Sequence, residues 1–183
     1  MIRARLFAAP ILASLACSAL LAACATPSLG PPPPGYPPPT PGEPMFRASE
    51  FGWSMQPGAN GIAGRLNVPK GQPAHYTCQG SSVILTPETP WSRRRMEVLY
   101  LSSERASLPA DEVRARTPEA PAGDSTPFIK RTTCDAQSHF SFERLPDGAW
   151  YVITIAKPLH GGGALALMRR VVTRGGKVSA VAL

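Results

Sequence analysis

The chain is short of cysteine, aromatic residues and acidic residues, and the first of these shortages already excludes a class of protein. Of 183 residues, four are cysteine, 7% are aromatic, and 12 are acidic against 19 lysines and arginines. Four cysteines in this length exclude a small disulfide-dense toxin. The 16 glycines follow no three-residue period, which excludes a collagen-like repeat, and one N-terminal apolar stretch excludes a polytopic membrane protein. The length suits one domain with appendages.

The N-terminal segment has the pattern of an export signal. Arg3 and Arg5 are followed by an apolar stretch, rich in small residues, from Leu6 to Leu20. A basic start followed by an apolar middle is typical of a secretory signal peptide. Pro10, the many alanines and the lack of charge after the stretch disfavour a transmembrane helix.

The end of this segment carries a more specific motif. Leu21-Ala22-Ala23-Cys24 resembles the lipobox of bacterial lipoproteins. The resemblance implies that residues 1–23 are removed as a signal peptide and that Cys24 is diacylglycerated and acylated on its new amino group. Ala25 is not the aspartate that favours inner-membrane retention, so we expect an outer-membrane anchor. The alternative is an ordinary cleaved signal with a chance cysteine, a description that fits Cys17.

Proline dominates the segment after Cys24. Ten of the eighteen residues from Pro27 to Pro44 are proline, which lacks an amide donor and fixes φ. We therefore expect residues 24–44 to form a lipidated, extended polyproline II spacer. Recognition of a proline-rich peptide is the alternative use of such a run.

Residues 45–183 have the pattern of an all-β domain. Short apolar runs alternate with Gly, Pro, Asp and Ser, which is typical of a β-sandwich. We expect seven strands, at Gly61–Val68, Ser82–Thr86, Phe128–Cys134, His139–Glu143, Ala149–Ala156, Ala164–Thr173 and Lys177–Leu183.

Two local patterns refine this expectation. Thr89-Pro90 can start a helix, and Met96, Leu99 and Tyr100 have helical spacing, so one short helix is predicted from Pro90 to about Ser102. Residues 110–116 could add another turn of helix. The Asp147-Gly148 pair predicts a tight reversal that would pair the strand of Phe140 and Phe142 with the strand that follows.

The residues from Cys134 to Tyr151 resemble the hairpin pattern of carboxypeptidase regulatory-like domains. They contain an aspartate, two alternating aromatics, Leu-Pro, Gly and Tyr, and the segments 61–64 and 83–87 look like the first strands of that family. The resemblance implies a seven-stranded, transthyretin-like (prealbumin-like) sandwich with no catalytic activity of its own. Ser138 replaces the usual turn glycine, so a non-glycine residue is expected at positive φ.

Enzymatic signatures are scarce in this chain. No His-x-x-Glu motif is present, and His75, His139 and His160 lack metal-ligand spacing. The end of the chain does not match the Tyr-Arg-Gly-Ser of hydroxyisourate hydrolases, and the tyrosine and histidine set of intradiol dioxygenases is not legible. We therefore predict no catalytic residues, no metal site and no cofactor.

The remaining cysteines form an even pair. With Cys17 removed and Cys24 lipidated, Cys78 and Cys134 are left in an oxidising compartment, where a disulfide is favoured. A pair of redox or metal-binding thiols is the alternative, although Cys-x-x-Cys spacing is absent.

Basic residues outnumber acidic ones in the mature chain by 17 to 12. The local concentrations of Arg93, Arg94 and Arg95, and of Arg169 and Arg170, are candidate contacts for anionic lipid or lipopolysaccharide phosphate. A solvated basic face is the more common explanation. Export separates the chain from nucleic acid, so no nucleic-acid partner is expected.

The sequence thus predicts a cell-envelope lipoprotein, tethered to the membrane by its N-terminal lipid, whose noncatalytic sandwich binds or scaffolds another envelope protein or polymer. Two alternatives remain open. The domain could be an accessory or substrate-binding module of an exported enzyme, or a hydrolase of the same fold.

Overall fold

A computed structural model describes residues 42–67 and 76–183. The predicted signal peptide, Cys24, His75 and all but the last three residues of the spacer lie outside this range. None of the helices within the described ranges is long and apolar enough to span a bilayer.

The described residues are mostly β, with two sheets and a few short helices. Seven of the strands lie where the sequence predicts them, and two short strands, β2 and β4, were not predicted. The strands are β1 (Asn60–Arg65), β2 (Tyr76–Thr77), β3 (Ser82–Pro87), β4 (Arg105–Pro109), β5 (Lys130–Thr133), β6 (His139–Leu145), β7 (Gly148–Pro158), β8 (Leu165–Thr173) and β9 (Val178–Ala182). The α-helices are α1 (Pro90–Tyr100) and α2 (Ala110–Ala115), and 3-10 turns lie at Ala48–Met55, Thr117–Glu119 and Thr126–Phe128.

The strands form a small sheet and a large sheet. The small sheet has the order β6-β1-β9, with β1 antiparallel to β6 and parallel to β9. The large sheet has the order β4-β8-β7-β3-β5, and β2 pairs with β7. Within the described residues this gives nine strands, so the prediction of seven was too low.

The main core lies between the two sheets. Alternate residues of each strand point into it, as the period of two requires. Phe140 and Phe142 were predicted to face the core on this ground, and both are buried. The cluster comprises Ile62, Cys78, Val83, Leu85, Cys134, Phe140, Phe142, Leu145, Trp150, Val152, Val171 and Val181.

A second apolar layer covers the opposite face of the large sheet. Met96, Leu99 and Tyr100 of α1 pack there with Tyr151 and Met168, which confirms the helical spacing read from the sequence. The helix begins as predicted, with Pro90 in its first turn and a capping box between Thr89 and Ser92.

The predicted pairing of β6 with β7 across Asp147-Gly148 is wrong, because β6 belongs to the small sheet and β7 to the large one. The reason is burial: Phe142 and Trp150 both belong to the core between the sheets, so their strands pack face to face. Asn60 holds the crossing by donating to Leu145 O at 3.0 Å and Asp147 Oδ1 at 2.8 Å.

The strand β4 was not predicted because it is short and lies at a sheet edge. Its five residues alternate exposed and half-buried positions and include Pro109, which weakens the apolar signal of a strand. Pairing with β8 along all five residues supplies the order that the local sequence does not.

The structure pairs Cys78 with Cys134 in a disulfide, as predicted, with the two Cα atoms 5.6 Å apart. Ser138 has a φ of 60°, as its place in the turn requires. Its hydroxyl accepts from Cys78 N–H at 3.2 Å and lies 3.0 Å from the Thr77 hydroxyl. These contacts hold the turn before β6 against β2 and offset the strain of a non-glycine residue at this φ.

Candidate functional site

The five arginines singled out from the sequence do not form one free basic patch. Arg93 and Arg170 both contact Glu88, whose side chain is only 9% exposed. The Tyr151 hydroxyl donates to the same carboxylate at 3.2 Å. Arg170 also lies 3.9 Å from Glu104. The contact with Glu88 raises the pKa of Arg170, and burial raises the pKa of Tyr151. The cluster is therefore a partly buried ion network, centred on Glu88, that ties α1 to the large sheet.

Arg94 and Arg95 are also engaged within the fold. Arg94 contacts Glu43 at 3.0 Å and Glu97 at 3.6 Å. Arg95 donates to Pro121 O at 2.9 Å and its guanidinium lies 5.5 Å from the centre of the Trp91 ring. Contact of these arginines with an anionic surface stays a prediction.

An open trough crosses the outer face of the small sheet and encloses about 820 Å³. Strand register explains its shape: Ala63 of β1 lies between Ser141 of β6 and Ala180 of β9. All three side chains are small and exposed. The small side chains at this level of the sheet leave a hollow over the strands.

Polar groups rim one end of this trough. Arg65 lies between His139 and Ala182 in the same register. Asp135, Thr132 and Thr133 continue the lining beyond the edge of β6. The rim thus offers a guanidinium, an imidazole, a carboxylate and hydroxyls, a mixture of hydrogen-bond donors and acceptors.

One end of the trough places an imidazole near a carboxylate. His139 Nδ1 and Asp135 Oδ2 are 3.9 Å apart, too far for a hydrogen bond. Within the described residues no hydrogen bond joins the Ser141 hydroxyl to His139, whose backbone N–H donates to Asp135 Oδ1 at 2.7 Å. Nor do these residues include a group of three or more His, Cys, Asp or Glu that could hold a metal.

A second cleft, of about 530 Å³, lies where the large sheet extends past the small one. It contains Arg169 together with Arg105, which sequence reasoning missed. Leu165 and Leu167 line it from β8, and Leu183 and Asn67 line it from the side of the small sheet. Arg105 could not be recognised from sequence because β4 itself was not predicted.

Sequence reasoning also missed the trough. Its signal is one small exposed residue within each of three strands, Ala63 in β1, Ser141 in β6 and Ala180 in β9. Each of these residues is visible in the sequence, but the adjacency of the three strands is not.

Comparison with known proteins bears on the fold alone. No protein-family model matches this chain, and no curated protein matches it. Among solved structures, the chain is similar to a crystal structure of a putative carbohydrate binding protein from Pseudomonas aeruginosa. The TM-score is 0.53 with 17% sequence identity, over 76% of this chain and 97% of the other. At this identity the likeness shows a shared β-rich fold.

Proposed function

We propose that this chain is a cell-envelope lipoprotein whose folded part, residues 45–183, is a noncatalytic binding domain for an envelope carbohydrate polymer. The proposal includes the transthyretin-like, carboxypeptidase regulatory-like ancestry suggested by residues 134–151. The fold shared with a putative carbohydrate binding protein supports a binding role.

The trough over Ala63 carries the proposal. It crosses all three strands of the small sheet and is open to solvent, so a chain molecule can lie across it without threading into a closed pocket. Hydroxyl-rich sugars need many donors and acceptors, and Arg65, Asp135 and His139 supply both along the rim. Such a surface binds by hydrogen bonds and shape, with no bond made or broken.

Filling the trough tests its role. Tyrosine at position 63 would stand over the floor between Ser141 and Ala180 without disturbing the core, because Ala63 is exposed. We expect Ala63→Tyr to lose retention in affinity electrophoresis through purified peptidoglycan fragments and through neutral bacterial glucan.

The matched control is Ala115→Tyr, the same change at an exposed residue of α2. This variant is expected to be retained like the unmodified protein. Equal retention of all three proteins, or no retention of any of them, would overturn the trough as a carbohydrate site.

Anchoring is tested separately. If Cys24 carries lipid, Cys24→Ala moves the protein from the outer-membrane fraction to the soluble periplasmic fraction, whereas Cys17→Ala does not. A lipid anchor on the mature N-terminus requires that thiol, so unchanged fractionation of Cys24→Ala would reject it. The polyproline spacer would then hold the domain at a distance from the bilayer.

A further inference from the structure

The cleft between the β4–β8 edge and the end of the small sheet contains two like charges at directly opposed positions. Arg105 of β4 pairs with Arg169 of β8 in the antiparallel register. Opposed residues of neighbouring strands have Cβ atoms about 5 Å apart and share one face of the sheet. The two guanidiniums therefore project from the same side of the sheet.

Like charges in this position repel, and no carboxylate of the described residues forms an ion pair with either of them. All 12 acidic residues of the chain lie within the described ranges, and none of their carboxylates lies within 4.0 Å of Arg105 or Arg169 in this part of the chain. Glu104, the neighbour in sequence, turns to Arg170 instead.

The terminal residue does not neutralise the pair either. Leu183 lines the cleft, and its backbone oxygen accepts from Asn67 N–H at 2.7 Å. Among the described ion pairs, no contact joins a terminal carboxylate to either arginine.

The surroundings of the arginine pair favour a ligand that has both an anionic group and an apolar surface. Leu165 and Leu167 lie on the same face of β8 as Arg169, since alternate residues share a face. Leu167 is 4% exposed and forms an apolar floor, and Ser107 lies beside it on β4. Next to low-dielectric walls, a guanidinium fork binds an oxyanion more strongly than it does in open water.

We propose that this cleft is an anion-binding site, in which Arg105 and Arg169 together take one oxyanion of a ligand whose carbon skeleton rests on Leu165 and Leu167. The shared chemistry is a carboxylate or a phosphate on a sugar-sized body. The cleft shares Ala182 with the trough over Ala63, but neither arginine lines the trough, and the site does not depend on the function proposed for that trough.

The test is calorimetric titration of the full mature protein with two probes, trigalacturonate and inorganic phosphate, at low salt. We expect at least one probe to bind. Preference for trigalacturonate identifies a sugar carboxylate, and preference for phosphate identifies a phosphate group. Neutral maltotriose is the uncharged control: any heat that it gives should persist in Arg169→Gln and be lost in Ala63→Tyr, because it would come from the trough.

The variants distinguish binding at Arg105 and Arg169 from nonspecific attraction of an anion to a basic protein. Arg105→Gln and Arg169→Gln each remove one fork, and we expect each to weaken binding by about tenfold or more. Arg169→Lys keeps the charge but loses the fork, so it is expected to weaken binding less than Arg169→Gln. Arg174→Gln, an exposed arginine after β8 and outside the lining of the cleft, is the matched control and is expected to bind normally.

Melting temperature supplies an independent readout. Since the two arginines repel each other, Arg169→Gln should melt above the unmodified protein in anion-free buffer. The probe should raise the melting temperature of the unmodified protein and of Arg174→Gln more than that of Arg169→Gln. Equal weakening by Arg169→Gln and Arg174→Gln, or no binding of either probe, would overturn the site. Ala63→Tyr leaves this titration unchanged, so failure here is distinguishable from failure of the trough.

Discussion

The disulfide gives the most quantitative prediction that the structure allows. Cys78 and Cys134 are 56 residues apart, and the closed loop includes β3, β4, β5 and both α-helices. In the chain-entropy treatment, a cross-link over this separation lowers the conformational entropy of the unfolded chain, which raises its free energy by about 4 kcal/mol at 25 °C. Replacing both cysteines by alanine is therefore expected to lower the free energy of unfolding by about 3–4 kcal/mol.

The folded state should keep its shape without the bridge. The strands β3 and β5 are already paired from Ser82↔Thr133 to Leu85↔Lys130. Beside the bridge, Cys134 N–H donates to Ser81 O, and Gly80 N–H donates to Cys134 O, both at 3.0 Å. Since these backbone bonds remain, the loss of stability should come mainly from a freer unfolded chain.

Urea unfolding followed by circular dichroism measures this effect. We expect an unchanged native spectrum, a lower midpoint and a larger dependence on urea, because the unfolded chain exposes more surface. Reduced, unmodified protein is the control that keeps both sulfur atoms and isolates the cross-link from the small cavities left by alanine. A double variant within about 1 kcal/mol of the oxidised protein would refute the entropic reasoning.

Two further predictions concern the second apolar layer and its rim. Burial raises the pKa of Tyr100 to about 12. Because the pKa is higher in the folded state than in the unfolded state, the contribution of neutral Tyr100 to the free energy of unfolding is complete below pH 10 and is lost as the pH rises through 12. The pKa of Tyr151 is raised as well, so Tyr100→Phe should remove only part of the alkaline loss of stability between pH 9 and 11.5, measured by urea unfolding, and an unchanged loss would contradict the prediction. Glu88→Gln should lower the free energy of unfolding by about 1–3 kcal/mol, because Arg93 and Arg170 lose a buried partner. Glu97→Gln, at an exposed pair, should change it by less than about 0.5 kcal/mol, and equal losses in the two variants would contradict the role of burial.

Features that depend on residues close together in the sequence could be predicted from the sequence. The alternation of Phe140 and Phe142 identified β6 and its buried face, and the spacing of Met96, Leu99 and Tyr100 identified α1. The even pair of Cys78 and Cys134 led to the correct disulfide by elimination. Each of these signals arises within a few residues or from simple counting.

Sheet membership was not readable, because it depends on which apolar faces meet. The Asp147-Gly148 turn looks like a hairpin in isolation, but the burial of Phe142 and Trp150 in one core puts β6 and β7 in different sheets. In the same way, β4 has little apolar pattern and is defined by its partner β8.

The sequence by itself determined the strand-rich character of the domain and the positions of seven strands and one helix. It also predicts an export signal over residues 1–23, followed by Cys24. Tertiary structure alone decided that Arg93 and Arg170 form ion pairs with Glu88. It also decided that Arg105 and Arg169 lie opposite each other, with no ion pair to a described carboxylate. It also decided that Ala63, Ser141 and Ala180 would lie side by side as the floor of a trough. The physical reason is that binding surfaces arise from strand register and sheet packing, which join residues far apart in the chain.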